Sequence, residues 1–417
     1  MEFFATPHPT TTGVDISSRA FWAQTSAERD RSFARLRAEA PVSWHPAVEV
    51  PIPHEQQGFW AVTRAEDITA VSRQPELFQS RHGTSLDPLT VDEATAASYF
   101  LTMDAPEHSR HRGLISAAFT PKAVARITEQ IEANARGVVD RLIGAGDIDF
   151  VDAVSARLPM ATVSDIVGVP ESERERVAAA AEIFVGGGKA AGVSIDEYRR
   201  LAFEEVIYLF QLGTDLAAHR RKSPGEDLMT NLVKAEIDGE RLSDDNIGAF
   251  LVLMAVAGND TTKQTTTWTM LALRDHPEQR TWLLEDFDHR IMPAVEEFVR
   301  YATPVIQFTR TAAEDTVLQG AEISAGDKVA LFYCSGNRDE TVFDRPDAFD
   351  LSRPRTPHVG FGGGGPHFCL GSGVAKSQLR AIIGQLLTRV PEIEFGEPVQ
   401  LASNFINGVS ALPAHVA

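Results

Sequence analysis

Cysteine is almost absent: the 417-residue chain has two, Cys334 and Cys369. That excludes a disulfide framework and a four-cysteine zinc site. Basic residues are also in deficit, 39 Lys and Arg against 58 Asp and Glu, for a formal net charge of −19. Neutralising phosphates takes clustered Lys and Arg, so a chain this acidic is no general binder of nucleic acid, although it can carry a local basic face. No segment supplies the roughly 20 apolar residues of a membrane-spanning helix. The longest apolar run, Ile247 to Gly258, passes straight into Asn259, Asp260 and threonines. The opening MEFFATPHPTTTG lacks the basic start and apolar core of a signal peptide. A soluble, cytoplasmic protein is therefore expected, with residues 1–13 irregular.

The composition, 43% hydrophobic and 23% charged, is globular. Length alone suggests two or three domains, at about 150 residues each. The pattern argues against that division, because helical and β-rich parts interleave without a linker, and a single domain over 1–417 is expected. Helical patterning covers Ala27–Ala40, Glu107–Phe119, Pro121–Ile143, Glu171–Val185, Ile195–Arg221, Ser243–Arg274, Pro277–Tyr301 and Leu370–Arg389. Strands are expected at Gly58–Thr63 and in a β region from Asp315 to Ser335, where Lys328–Tyr333 is apolar. Cys334, inside that apolar strand, reads as a buried small hydrophobe. Gln79–Pro88 and Gly186–Ser194 read as loops. The fold class is mainly α with a small β portion.

The helix from Ser243 is the most informative. Ser243 can cap it, Asp244 and Asp245 suit the positive end of its dipole, and Pro277 stops it. It is long enough, at roughly 50 Å, to cross the molecule. Ile247 to Ala257 is apolar all round and should be buried on every side. Ala257-Gly-Asn-Asp-Thr-Thr262 then breaks the pattern, since Gly and Thr are poor helix formers and a buried Asp is costly. Such a break in a central helix points to a functional site.

Cys369 ends the run Phe361-Gly-Gly-Gly-Gly-Pro-His-Phe-Cys369 and precedes Leu370-Gly371. Consecutive glycines admit a flat, bulky group. At the start of a helix, amide donors and the dipole lower a thiol's pKa, and a thiolate held this way can be an axial ligand of haem iron. A glycine run before a helix can instead cradle phosphate. Lys376-Ser377 follows, but a P-loop needs glycines where Ala375 and Leu370 stand, so that reading fails. Considered alone, Cys369 leaves structural and functional readings equally open.

Phe361…Gly365-x-His367-x-Cys369-x-Gly371 as a whole resembles the haem-binding loop of the cytochrome P450 superfamily, soluble bacterial type. Three further matches follow the family's order: Gly258-Asn-Asp260-Thr261 for its oxygen-activation segment, Glu297-x-x-Arg300 for its buried pair, and His108-x-x-x-Arg112 for a propionate contact. Two departures stand out. The Phe361-to-Cys369 spacing is one residue longer than usual, a trait of members that oxidise sterols and methyl-branched lipids. Ala348 stands where many relatives have an Arg that completes the network of the pair, and Arg353 is the substitute candidate.

The resemblance implies a triangular helical domain whose long central helix crosses haem b, and a monooxygenase that activates dioxygen and hydroxylates an apolar sterol, terpenoid or branched lipid. Oxidative tailoring of a macrocyclic or aromatic natural product is the alternative, and a haem sensor that never turns over is the alternative of another class. By the same resemblance Cys369 binds the iron, His108, Arg112, Arg310 and His367 bind the propionates, and Phe361, Gly365 and Gly371 shape the loop. Gly258 would open the helix for dioxygen, Thr261 would hydrogen-bond it, and Asp260 would relay protons. Val305, Ile306, Phe308, Ala255, Val256 and the loop from Gly83 to Phe100 would line the pocket. Electrons would come from NAD(P)H through a ferredoxin reductase and a ferredoxin docked on Arg110, His111, Arg112, Lys122, Arg126, Lys376 and Arg380. A monomer is expected.

Overall fold

A computed structural model describes residues 13–49, 56–87, 99–119, 121–183, 193–354 and 357–417. Residues 1–12, most of the loop expected at 186–194, and positions 88–98 of the expected pocket loop lie outside these.

The helices that frame the site are α1 (Ser26–Glu39), α2 (Ala65–Ser72), α3 (Glu107–Ala118), α4 (Pro121–Asp140), α5 (Arg157–Val167), α6 (Glu171–Ile183), α7 (Ile195–Lys222), α8 (Asp244–Asp275), α9 (Pro277–Glu285), α10 (Phe287–Ala302) and α11 (Ser372–Arg389). One sheet matters, formed by β1 (Val42–Pro46), β2 (Gly58–Val62), β3 (Phe78–Gln79), β4 (Gln307–Ala312) and β5 (Lys328–Phe332) in the order β1-β2-β5-β4-β3. Its β2–β5 pair is parallel, with Val329 opposite Trp60, and the other pairs are antiparallel. The fold is mainly helical with a small β portion, as its composition of patterns predicts. No helix among the described residues is long and apolar enough to cross a membrane.

The central helix, α8, owes its start to a reciprocal cap. Ser243 Oγ accepts from the Asn246 amide while Asn246 Oδ1 accepts from the Ser243 amide. Its 32 residues span about 48 Å. The threonines that spoil its helix propensity satisfy themselves. The Thr261, Thr265 and Thr267 hydroxyls donate to the carbonyls of Ala257, Thr261 and Lys263 one turn back, at 2.8–3.0 Å. Gln264, fully buried, binds Val409 through both its amide atoms, and Trp268 Nε1 donates to the Asn407 carbonyl. These bonds lay the C-terminal segment across the middle of α8.

Three sequence expectations change here. The helix expected over Pro277–Tyr301 is two helices broken at Asp286, whose φ −152° and ψ 64° are not helical. The run Glu285-Asp-Phe-Asp288 places carboxylates at the negative end of a helix dipole, where they favour a stop. Strand β5 ends at Phe332, so Cys334 lies in a one-turn helix, Tyr333–Gly336, rather than in a strand. Its thiol is pushed up to about 12 by burial, so it stays a thiol. The apolar part of α8 is not buried all round, because Ala257 is exposed and Met254 and Val256 are half-buried.

Candidate active site

The loop Phe361–Gly371 turns back on itself ahead of α11. Cys369 N–H donates to the Phe361 carbonyl at 3.0 Å, and Phe368 N–H to that of Gly365 at 3.2 Å. Two of its glycines answer to protein rather than to a flat ligand. A Cβ on Gly363 would lie 2.5 Å from Ser72 Oγ, and one on Gly365, at φ +71°, would lie 2.1 Å from the Ser72 carbonyl oxygen. The loop therefore rests on the end of α2. Helix α11 begins at Ser372, so Cys369 precedes it instead of opening it. Burial raises the Cys369 thiol pKa, and the amides of Gly371 and Ser372, with Arg112 and Lys376, offset only part of that. The expected lowering by the helix end is thus corrected: desolvation outweighs it. Cys369 nonetheless keeps accessible surface. Both observations hold for a sulfur open on one side of a protein-walled recess.

Four basic side chains converge beside this loop. The rings of His108, on α3, and His367 lie 4.1 Å apart between centroids. Arg112, one turn beyond His108, donates Nη2 to the Phe368 carbonyl at 2.6 Å. Arg310, on β4, is 6% exposed and donates to the Thr309 carbonyl. Burial first, then the guanidiniums of Arg112 and Arg310, holds His108 down to about 4. Burial, then Arg310, does the same to His367, down to about 2. His367 Nε2 meets Ser80 Oγ at 3.2 Å, but His108 Nε2 is buried without a partner. The nearby Asp104 is committed to Arg81 and the Ser80 amide, and among the described residues no carboxylate pairs with Arg112 or Arg310. Buried positive charge beside an orphaned ring nitrogen is unfavourable until an anion completes it. A group carrying two carboxylates and a metal that takes sulfur meets both demands, so the residues present fit haem.

The middle of α8 offers a different chemistry. Asp260 is 3% exposed, and its Oδ1 lies 2.6 Å from Lys263 Nζ, also buried, though without hydrogen-bond alignment. Burial raises the Asp260 pKa, and Lys263 opposes the rise. Half-buried Glu182, on α6, feels both Lys263 and Asp260 after its own desolvation. Lys263 was not foreseen, although an Asp and a Lys three apart in a buried stretch is a legible signal. Thr261 donates to Ala257, so its hydroxyl is bonded to the helix it belongs to. Gly258 does not open the helix, which runs unbroken through it. A Cβ there would come 2.9 Å from Val163 of α5, so close packing requires that glycine.

The expected lining divides. Val305, bridged to Ile406, and Phe308 are half-buried, with Phe308 edge-on to Phe405 at 5.5 Å. Ile306 is 2% exposed in the core with Phe21, Trp22, Phe33 and Phe332, a cluster separate from the one that Val305 and Phe308 pack against. Ala255 is fully buried in the main core, whereas Ala257, about 200° further round α8, carries the open surface. Val256 is half-buried. Phe405 was missed, because only the long-range return of the C-terminus brings it to Phe308.

On the cysteine side, Arg300 is 1% exposed and forms a fork with Glu297, at 2.7 Å from Nε to Oε2 and from Nη2 to Oε1. Arg353 Nε reaches the same Oε2 at 3.2 Å, so the side chain singled out as substitute stands at the pair. The expected positive docking face is mixed in charge. Arg110 pairs with Glu240, Arg126 with Glu226, Arg380 with Glu132 and Lys376 with Glu296.

Known proteins share this architecture. The profile of the family described as Cytochrome P450 matches residues 211–391. A methyl-branched lipid omega-hydroxylase of Mycobacterium tuberculosis is 39% identical over 96% of this chain and 94% of its own. A steroid C26-monooxygenase of Rhodococcus jostii is 36% identical over 95% of this chain and 83% of its own. A Mycobacterium marinum cytochrome P450 solved in complex with pseudoionone superposes with a TM-score of 0.92, at 51% identity over 98% of this chain and 100% of that one. The chain therefore belongs to the cytochrome P450 family and is a haem monooxygenase that hydroxylates apolar molecules.

Proposed function

We propose that this chain, acting in the cytoplasm as a single-domain monomer, hydroxylates a methyl-branched, sterol-like or terpenoid lipid. One oxygen atom enters a C–H bond and the other leaves as water. Two electrons come from NAD(P)H through a reductase and a ferredoxin, and two protons from solvent. The relatives whose names specify methyl-branched lipids and steroids favour a lipid over a macrocycle or an aromatic precursor. Haem b supplies the oxygen chemistry when bound. The observation that carries the assignment is buried Arg310 and half-buried Arg112, without a carboxylate partner among the described residues, beside accessible Cys369.

The chain's residues divide the task. The Cys369 sulfur holds the iron, and Arg112, Arg310, His108 and His367 receive the propionates through charge-assisted hydrogen bonds. Phe361, Gly365 and Gly371 set the path of the loop. Val305, Phe308, Val256, Ala257 and Phe405 form an apolar wall that excludes water and orients the chain end to be oxidised. Asp260 takes a proton at Oδ1 or Oδ2 and delivers it inward, with burial raising its pKa against the opposing charge of Lys263. The Thr261 hydroxyl passes that proton on when it swings from the Ala257 carbonyl.

The reduced protein exposed to carbon monoxide should show a long-wavelength Soret band that Cys369→Ala loses. A haem band without that shift would point to a neutral ligand and to a sensor. Sterols and branched fatty acids, added to the oxidised protein without carbon monoxide, should shift its Soret band. For Thr261→Ala we expect haem and substrate binding to persist while electrons are diverted to peroxide. Full coupling of NAD(P)H consumption to product in that variant would remove Thr261 from the relay.

A further inference from the structure

Glu296 precedes the buried pair but serves other partners. Its Oε1 takes Lys376 Nζ at 2.6 Å and its Oε2 meets His358 Nε2 at 3.0 Å. The His358 ring is fixed in turn, since Nδ1 lies 3.1 Å from the Gly360 N–H and accepts it. A ring nitrogen that accepts carries no proton, so the proton is on Nε2 and is donated to Glu296. His358 is therefore neutral, and Lys376 alone balances the carboxylate. The bond from His358, then that from Lys376, holds Glu296 down to about 2, so it is charged throughout the physiological range.

Lys376 has a second contact. Its Nζ lies 5.0 Å from the centroid of the Phe361 ring, within cation–π reach. The carbonyl of Phe361 is the acceptor for the Cys369 amide, so the lysine sits on the residue that anchors the ligand loop. The sequence placed this lysine on an outward docking face. Here it is turned inward, from the second turn of α11 onto the first residue of the cysteine loop.

We propose that Lys376, clamped by Glu296 and His358 over Phe361, is a positioning residue that sets the electrostatics at the Cys369 sulfur, and through it the reduction potential of the iron. The inference rests on Cys369 being the ligand. A cation held near a metal-bound thiolate favours the state with more negative charge, which is the reduced one. Glu296 works against it, and His358 adds no net charge.

The test is the reduction potential of purified, haem-loaded variants. Lys376→Met should lower it, with the reduced-to-oxidised ratio at fixed solution potential falling about tenfold, or about 59 mV for a one-electron couple. Glu296→Gln keeps an acceptor for His358 but removes the negative charge, so its potential should rise. Lys376→Arg should stay near the parent. Opposite signs are what a merely structural role does not produce. An unmoved potential in Lys376→Met, or the same sign in both variants, overturns the proposal; Lys376→Gln replaces Lys376→Met if the latter retains no haem. A parent protein without the long-wavelength carbon monoxide band overturns the ligand reading instead, so the two failures are told apart.

Discussion

Glu297→Ala is expected to lose about 3–5 kcal/mol of stability, because it strips the partner from a buried cation. Four donors converge on this carboxylate: Arg300 Nε and Nη2 at 2.7 Å, the Asp350 amide at 3.0 Å and Arg353 Nε at 3.2 Å. Arg300 keeps its bonds to the carbonyls of Asn337, Pro346 and Ala348. Those oxygens are neutral dipoles, and they do not replace a full negative charge for a side chain 1% exposed. Arg353, 9% exposed at the side chain, would be left beside Arg300 with like charge unscreened. The carbonyls it binds belong to the segment Asp344–Ala348. The damage should therefore spread towards the cysteine loop. Denaturant titration of Glu297→Ala and Glu297→Gln checks it, the second keeping one acceptor and losing less. A stability within 1 kcal/mol of the parent in Glu297→Ala would show that the carbonyls alone compensate Arg300.

What the sequence made legible was local. Ser243 and the acids Asp244 and Asp245 announce the start of α8 because a cap needs only neighbouring residues. Glycines followed by His367 and Cys369 announce the loop for the same reason. Arg353 could be named as a partner for Glu297 because an arginine close to Ala348 is within reach of the same carboxylate. Phase was not legible. Val305 and Ile306 lie just ahead of β4, where alternation is not fixed by a ladder, and only the fold shows that Ile306 enters the aromatic core while Val305 and Phe308 do not. Similarly, helical spacing separates Ala255 from Ala257 without saying which faces the site. The reason for Gly363 and Gly365 was hidden as well, because Ser72 lies almost 300 residues away in the chain and only the folded protein brings α2 beneath the loop.

The charge pattern had a similar limit. Arginines and lysines near the cysteine can be counted in the sequence, but their partners cannot. Pairing with Glu240, Glu226, Glu132 and Glu296 leaves a face of alternating sign. Such a face orients a partner more than it attracts one, because exposed pairs each contribute little and salt screens them. Among the described residues, the arginines of this region without a carboxylate partner are buried Arg310 and half-buried Arg112, the two proposed to receive an anion.

Gly365→Ala is expected to cost the protein its haem before it costs the fold. The added methyl would stand 2.1 Å from the Ser72 carbonyl oxygen and 3.0 Å from its carbonyl carbon. Both are backbone atoms at the end of α2, where Ser72 Oγ is already bonded to the Ile68 carbonyl, so neither yields cheaply. The residue also sits at φ +71°, which costs a side chain about 1 kcal/mol before any contact is counted. Lifting the loop off α2 breaks the turn in which the Gly365 carbonyl accepts from Phe368, the residue that leads into Cys369. The sulfur would then be displaced from the four basic side chains proposed to receive the propionates. Gly144→Ala supplies the control: φ there is +72° with nothing within 4 Å of the new methyl, so it reports backbone strain alone. We expect Gly365→Ala to exceed that control by about 2 kcal/mol or more, as overpacking does, and to purify with a small fraction of the parent's haem. Equal stability of the two variants, with full haem in Gly365→Ala, would show that the loop is not held on α2.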